Sequence, residues 1–145
     1  MFPFRKLAVW RKAHSLALHV YELTELAYRG RYLSLIDQMR RASMSIAANI
    51  AEGSGQVTNA QFARYLTIAL GSARELDYHV LLARDLGLLA PSDCVRLDAR
   101  VDEVSRMLLV FRNRVARPTS PTLRHRVHQA SAGNLTSHLS HPFSD

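Results

Sequence analysis

A single cysteine, Cys94, among 145 residues leaves no partner for an internal disulfide, and cysteine and histidine never occur together at metal-site spacing. Neither a stapled secreted scaffold nor a zinc module is supported, and a reducing compartment fits best. Long hydrophobic runs are also missing. Arginine or other polar residues interrupt every apolar segment before the eighteen residues a membrane span needs, so no membrane association is expected. The opening residues, Met1 to Arg11, carry Pro3 near their start and no clean apolar stretch ending in a small-residue cleavage site. Export is therefore not expected, and a cytoplasmic location is.

The signatures of catalysis are equally sparse. A di-iron bundle needs Glu-x-x-His pairs, but Glu22 and Glu25 have no histidine at that spacing, and Glu75 is followed at three by Tyr78 and at four by His79. His14 and His19, five residues apart, point in different directions on a helix, and His138 and His141 are weak evidence for a physiological metal site. No Ser/His/Asp constellation or glycine-rich phosphate loop stands out. The expectation is a protein that is not an enzyme, with no cofactor and no metal. Zinc-finger, RNA-recognition and homeodomain signatures are also missing, so a base-specific reader is not indicated.

What the chain does have is apolar residues, 48% of the total, in helical periods. From about Arg5 to Tyr28, Leu7, Trp10, Ala13, Ala17, Val20, Tyr21, Thr24 and Ala27 recur at three- and four-residue steps, and Gly30 stops the pattern. A second helix is predicted from about Leu33 to Glu52, with Ile36, Met39, Ser43, Ile46, Ala47 and Ile50 inward and Gly53 and Gly55 marking its end. Thr58 and Gln61 have the spacing of a capping box, so a third helix should begin there and run through Leu66, Ala69, Ala73, Leu76, Val80 and Ala83 to Gly87. At 1.5 Å per residue it would be about 42 Å long, which favours an elongated bundle. Beyond Pro91, Leu97, Val101, Val104, Leu108, Phe111 and Val115 give the clearest stripe. Four amphipathic helices on short connections specify an all-α, antiparallel up-down-up-down four-helix bundle over residues 1–115. Residues 116–145, rich in Ser, Thr and His, read as a flexible, disordered basic tail.

Lys and Arg outnumber Asp and Glu by 19 to 12, a net charge of +7, of which +5 lies in residues 1–115 and +2 in the tail. An anionic partner is implied, and charge alone does not identify it. The candidate phosphate contacts for RNA or DNA are Arg40, Arg41, Arg112, Arg114, Arg117, Arg124 and Arg126. Arg40 and Arg41 point about 100° apart, so one can pair internally while the other faces solvent. Dipole stabilisation at a helix end is the competing account of Arg112 and Arg114. The stretch Gln38 to Gly55 concentrates small residues, with Ser43, Ala47 and Ala51 four apart. Asn49 and Glu52 either satisfy local hydrogen bonds or form, with Arg40 and Arg41, a patch at a subunit or ligand surface. Arg74, Glu75, Asp77 and Arg84 read as an interhelical or solvated charge network.

The segments Leu7-Ala8-Val9-Trp10, Gln38-Met39-Arg40-Arg41-Ala42, Ser45-Ile46-Ala47-Ala48-Asn49-Ile50-Ala51-Glu52-Gly53 and Phe62-Ala63-Arg64-Tyr65-Leu66 resemble the bacterial four-helix-bundle family called 23S rRNA intervening-sequence proteins. The resemblance covers about Phe4 to Val115; Arg11 stands where the family usually has glutamine after Val-Trp. It implies an up-down-up-down bundle assembling into a ring-like homo-oligomer, a pentamer; the candidate interface residues are Trp10, Asn49 and Glu52. A more distant likeness, to the accessory bundle proteins of diversity-generating retroelements, implies association with nucleic acid and a protein partner. The expected function is a non-catalytic oligomeric scaffold that binds nucleic acid through arginines; the alternative is a protein-interaction adaptor.

Overall fold

The computed structural model describes residues 2–27 and 30–118, and the expected tail, with Arg124 and Arg126, falls almost wholly outside the described residues. A short 3-10 turn, η1 (Phe4–Lys6), leads into α1 (Ala8–Ala27), α2 (Leu33–Ser54), α3 (Asn59–Asp85) and α4 (Pro91–Ala116). Each helix packs on the next in sequence, and α4 returns against α1, closing an antiparallel four-helix bundle.

Local chemistry sets the boundaries. Thr58 Oγ1 accepts from the Gln61 amide at 3.2 Å, making one half of the expected capping box at the start of α3. Gly87, at φ +70°, ends α3 in a Schellman arrangement: Leu88 N donates to Ala83 O at 2.8 Å and Gly87 N to Arg84 O at 3.0 Å. Pro91 opens α4 at a position where its missing N–H costs nothing, with Asp93 in the first turn facing the positive dipole end. Tyr32, before α2, takes the left-handed conformation at φ 56°, a strain of about 1–2 kcal/mol for a residue with a Cβ.

The core follows the expected stripes on α2, α3 and α4. Met39, Ile46, Ile50, Leu66, Leu76, Val80, Leu97 and Leu108 are fully buried, and truncating any large one to alanine should cost about 2–5 kcal/mol. On α1 the expected Ala13, Ala17, Val20 and Thr24 are buried, and the stripe is widened to one side. Val9, Leu16 and Leu23 are buried, whereas Tyr21 is 38% exposed and Trp10 lies at the core's edge. Gly53 also departs from expectation. The helix runs through it to Ser54, and a Cβ there would sit 2.7 Å from Tyr65 Cβ and 2.8 Å from Phe62 Cδ2. The missing side chain lets α2 and α3 approach closely; it does not end the helix.

This topology places the start of α1, the end of α2, the start of α3 and the end of α4 at one pole. Phe2 N donates to Ser54 O at 3.3 Å, the Phe62 and Phe111 rings meet edge-on at 5.5 Å, and Lys12 pairs with Glu103 at 3.0 Å.

Candidate nucleic-acid interface

The adjacent arginines of α2 have separate fates. Arg40 turns inward: Nε donates to Thr24 Oγ1 at 2.9 Å, Nη2 donates to Glu25 at 3.2 Å, and the guanidinium lies 4.5 Å from the Tyr21 ring centroid. Thr24 itself is buried and donates to Val20 O at 2.7 Å. Arg41 is exposed and lines, with Tyr21, Asp37 and Met44, a shallow groove beside α1. Within the described residues, Arg40 therefore serves to hold α1 against α2, with its charge offset by Glu25.

Asn49 and Glu52 occupy the seam between α2 and α3. Asn49 Nδ2 donates to Ser45 O at 2.8 Å and to Ser45 Oγ at 3.0 Å, and the Ser45 and Ser72 hydroxyls share a hydrogen bond of 2.8 Å. Glu52 accepts from Tyr65 Oη at 3.2 Å. Both residues thus satisfy local polar groups, while Glu52 stays exposed and Asn49 half-buried. Trp10 stands apart from them, packed between Phe4 and His14.

The other arginines gather by topology. Arg112 is half-buried and donates to Asn113 Oδ1 at 3.1 Å, and Arg114 and Arg117 are exposed at the end of α4. The fold brings to the same pole six cations that the linear reading did not single out together: Arg5, Lys6, Arg11 and Lys12 from the first segment, Arg64 from α3 and Arg106 from α4. Only Glu52, Asp102 and Glu103 oppose these nine among the described residues at this end. Arg106 pairs with Asp102 and Lys12 with Glu103. Among the described residues the opposite pole holds Arg31, Arg40, Arg41, Arg74, Arg84, Arg96 and Arg100 against eight carboxylates and is nearly neutral. The poles' centres lie about 15–20 Å apart on helices about 30–40 Å long. A screening length of about 8 Å at physiological salt keeps the acidic residues of one end from cancelling the positive field of the other. An alternating up-down reading of the helices, with charges assigned to ends, is the sequence signal that finds this pole.

Two grooves complete the surface. Leu7, Val9, Met107, Val110 and Phe111 line an apolar depression of about 460 Å³ between α1 and α4, flanked by Arg106 and Arg114. A second, of about 500 Å³ between α3 and α4, is lined by Gly71, Arg74, Asp77, Asp102 and Arg106 among others. Near it, burial first and then the Asp77 carboxylate push the Asp98 carboxyl above its ordinary value. Burial likewise raises the Cys94 thiol, which keeps it protonated and poorly nucleophilic. His19 is lowered, by burial first and then by Arg100. Among the described residues no group of three or more His, Cys, Asp or Glu is arranged to hold a metal ion, and no helix is long and apolar enough to cross a membrane.

No curated protein matches the chain. Among solved structures, the fold is similar to that of a protein of unknown function from the S23 ribosomal protein family of Bacteroides thetaiotaomicron VPI-5482. The TM-score is 0.68 and the identity 24%, over 72% of this chain and 97% of that one. The model of the 23S rRNA-intervening sequence protein family matches residues 5–110, the whole bundle short of its last turns, and the chain belongs to that family.

Proposed function

We propose that this protein is a non-catalytic helical scaffold that assembles with copies of itself and binds nucleic acid through the basic pole of its bundle. The observation that carries the reading is the concentration, among the described residues, of nine cations against three carboxylates at one end, with the other end close to neutral. Such a surface exchanges condensed counterions for arginine and lysine contacts and needs no base-reading motif. Arg112, Arg114 and Arg117 remain in the expected set, joined by Arg5, Lys6, Arg11 and Arg64; Arg41 is peripheral, and Arg40 is committed to Thr24 and Glu25. Assembly into a ring, a pentamer, is the reading that the family supports, with the exposed Glu52 edge of the α2/α3 seam offered to a neighbour.

The test is a titration of protein freed of co-purified nucleic acid with ribosomal RNA, unrelated RNA and duplex DNA over a range of salt, alongside a solution mass measurement. The expected result is binding whose logarithm falls linearly with the logarithm of salt concentration. An absence of binding to all three at low salt overturns the reading. The adaptor reading draws on the apolar groove between α1 and α4; salt-resistant binding to a protein, with none to nucleic acid, would establish it instead.

A further inference from the structure

The basic pole carries an aromatic ladder as well as charge. Phe4 meets Trp10 edge-on, with centroids 4.9 Å apart and planes at 66°, and Trp10 stacks on His14 at 4.9 Å with planes only 7° apart. Trp10 and His14 are one helical turn apart on α1, so the stack runs along the helix axis. Its inner members, Phe4 and Trp10, are half-buried, while His14 is exposed. Core packing accounts for Trp10, against whose edge Phe4 sits, but not for His14, which lies on the exposed face of α1.

Cations flank this ladder at fixed places. The Arg5 guanidinium lies 5.7 Å from the Phe4 ring centroid. Arg11 Nη1 donates to Lys6 O at 3.0 Å and to Arg5 O at 3.3 Å, which holds its guanidinium at the junction of η1 and α1. A flat ring at the end of a stack, with positive charge anchored beside it, suits a planar group on an anionic backbone. Aromatic rings accept any base by its face, and cations track the phosphates. In a duplex, both faces of an interior base are already covered by its neighbours.

We propose that the Phe4–Trp10–His14 ladder is a stacking site for unpaired nucleobases, so that the basic pole takes single-stranded nucleic acid in preference to duplex. This rests on the reading of the pole as a nucleic-acid surface. His14 is the contact residue, Trp10 supports it from beneath, and Arg5 and Arg11 position the adjoining phosphates.

Trp10 is the only tryptophan in the chain, so its emission reports on the ladder directly. The full-length protein is titrated with short single-stranded oligothymidylate, with an abasic oligomer of equal length and charge, and with a duplex of that length. The expected result is a change in Trp10 emission with oligothymidylate only, and about tenfold tighter binding of it than of the abasic oligomer. His14→Ala should remove that advantage without weakening the abasic complex, and His14→Phe, which keeps a ring, should restore it. Because His14 is exposed, both variants should melt near the parent, which circular dichroism checks. Equal binding of the base-bearing and abasic oligomers, or equal loss of both in His14→Ala, overturns the stacking site and leaves the charged surface standing. No binding of any oligomer at low salt overturns both.

Discussion

Arg40 Nε donates to Thr24 Oγ1 at 2.9 Å, and Thr24 Oγ1 donates in turn to Val20 O at 2.7 Å, so a guanidinium on α2 closes a hydrogen-bond chain onto the backbone of α1. Thr24 is fully buried, and the Arg40 side chain is 21% exposed. The contact is a charge-assisted bond at the edge of the core, with the Tyr21 ring beneath the guanidinium. Arg40→Ala should cost about 2–3 kcal/mol, because a bond to a charged donor disappears along with its cation–π support. Arg40→Lys should recover little, since an ammonium does not reproduce the planar fork. Arg41→Ala, at an exposed site, should fall within about 0.5 kcal/mol of the parent. Urea midpoints at constant slope measure all three.

Two glycines inside helices predict opposite signs for the same substitution. At Gly53 a Cβ would meet Tyr65 Cβ at 2.7 Å and Phe62 Cδ2 at 2.8 Å, and Tyr65 Cβ cannot swing aside without moving α3. Gly53→Ala should therefore lose about 1–3 kcal/mol to overpacking, more than the helix propensity it gains. At Gly71 none of the described residues places a neighbouring atom within 4 Å of the added carbon, so Gly71→Ala should gain about 0.5–1 kcal/mol. Thermal melts of the two variants beside the parent should bracket it.

The helices were legible because each keeps one period over many turns. Leu66, Ala69, Ala73, Leu76, Val80 and Ala83 mark the buried face of α3 without any tertiary information. Residues that owe their role to a neighbour in space were not legible. Gly53 reads as a terminator until Tyr65 is seen against it, and the spacing of Arg40 and Arg41 says that one can pair internally, but only Thr24 and Glu25 within reach show that it is Arg40. On α1, periodicity placed Ala13, Ala17, Val20 and Thr24 inward as found, but it also set the exposed Tyr21 there and passed over Leu16 and Leu23, which lie on an overlapping stripe. The basic pole requires adding charges from four segment ends far apart in the chain, which becomes meaningful once the helix directions alternate.

His19 supplies a pH dependence with a definite sign. Its Nε2 is buried without a partner among the described residues, its Nδ1 lies 4.0 Å from Glu22, and Arg100, Arg96 and Asp93 on α4 contribute to its electrostatics. Burial, followed by Arg100, lowers its pKa in the folded state below 6.5. The unfolded chain then binds the proton more readily, so stability is fully present above about pH 6.5. It declines as pH falls through that value toward the lower folded one, by at most about 1.4 kcal/mol per pH unit for one group. Urea unfolding between neutral and mildly acidic pH should show this decline, and His19→Gln should remove part of the slope whatever its effect at neutral pH. Identical slopes in parent and variant would assign the acid sensitivity to other groups.

The division of charge between the poles can be read from salt dependence. Each phosphate contact adds about 0.7 to the slope of log affinity against log salt for a single strand and about 0.9 for a duplex. Arg114→Gln and Arg117→Gln, at exposed positions on the end of α4, should each weaken binding of any nucleic acid sequence and reduce the slope by roughly one contact. Arg41→Gln removes the same charge from the nearly neutral pole, where Asp37 stands close by in the same groove, and should leave the slope unchanged. All three sites are exposed, so stability should be preserved and the comparison reads binding alone. A slope that falls with Arg41→Gln and holds with Arg114→Gln and Arg117→Gln would move the nucleic-acid surface to the α1/α2 side of the opposite pole. Equal reductions in all three would mean that the bundle presents its whole length, rather than one end, to the polyanion.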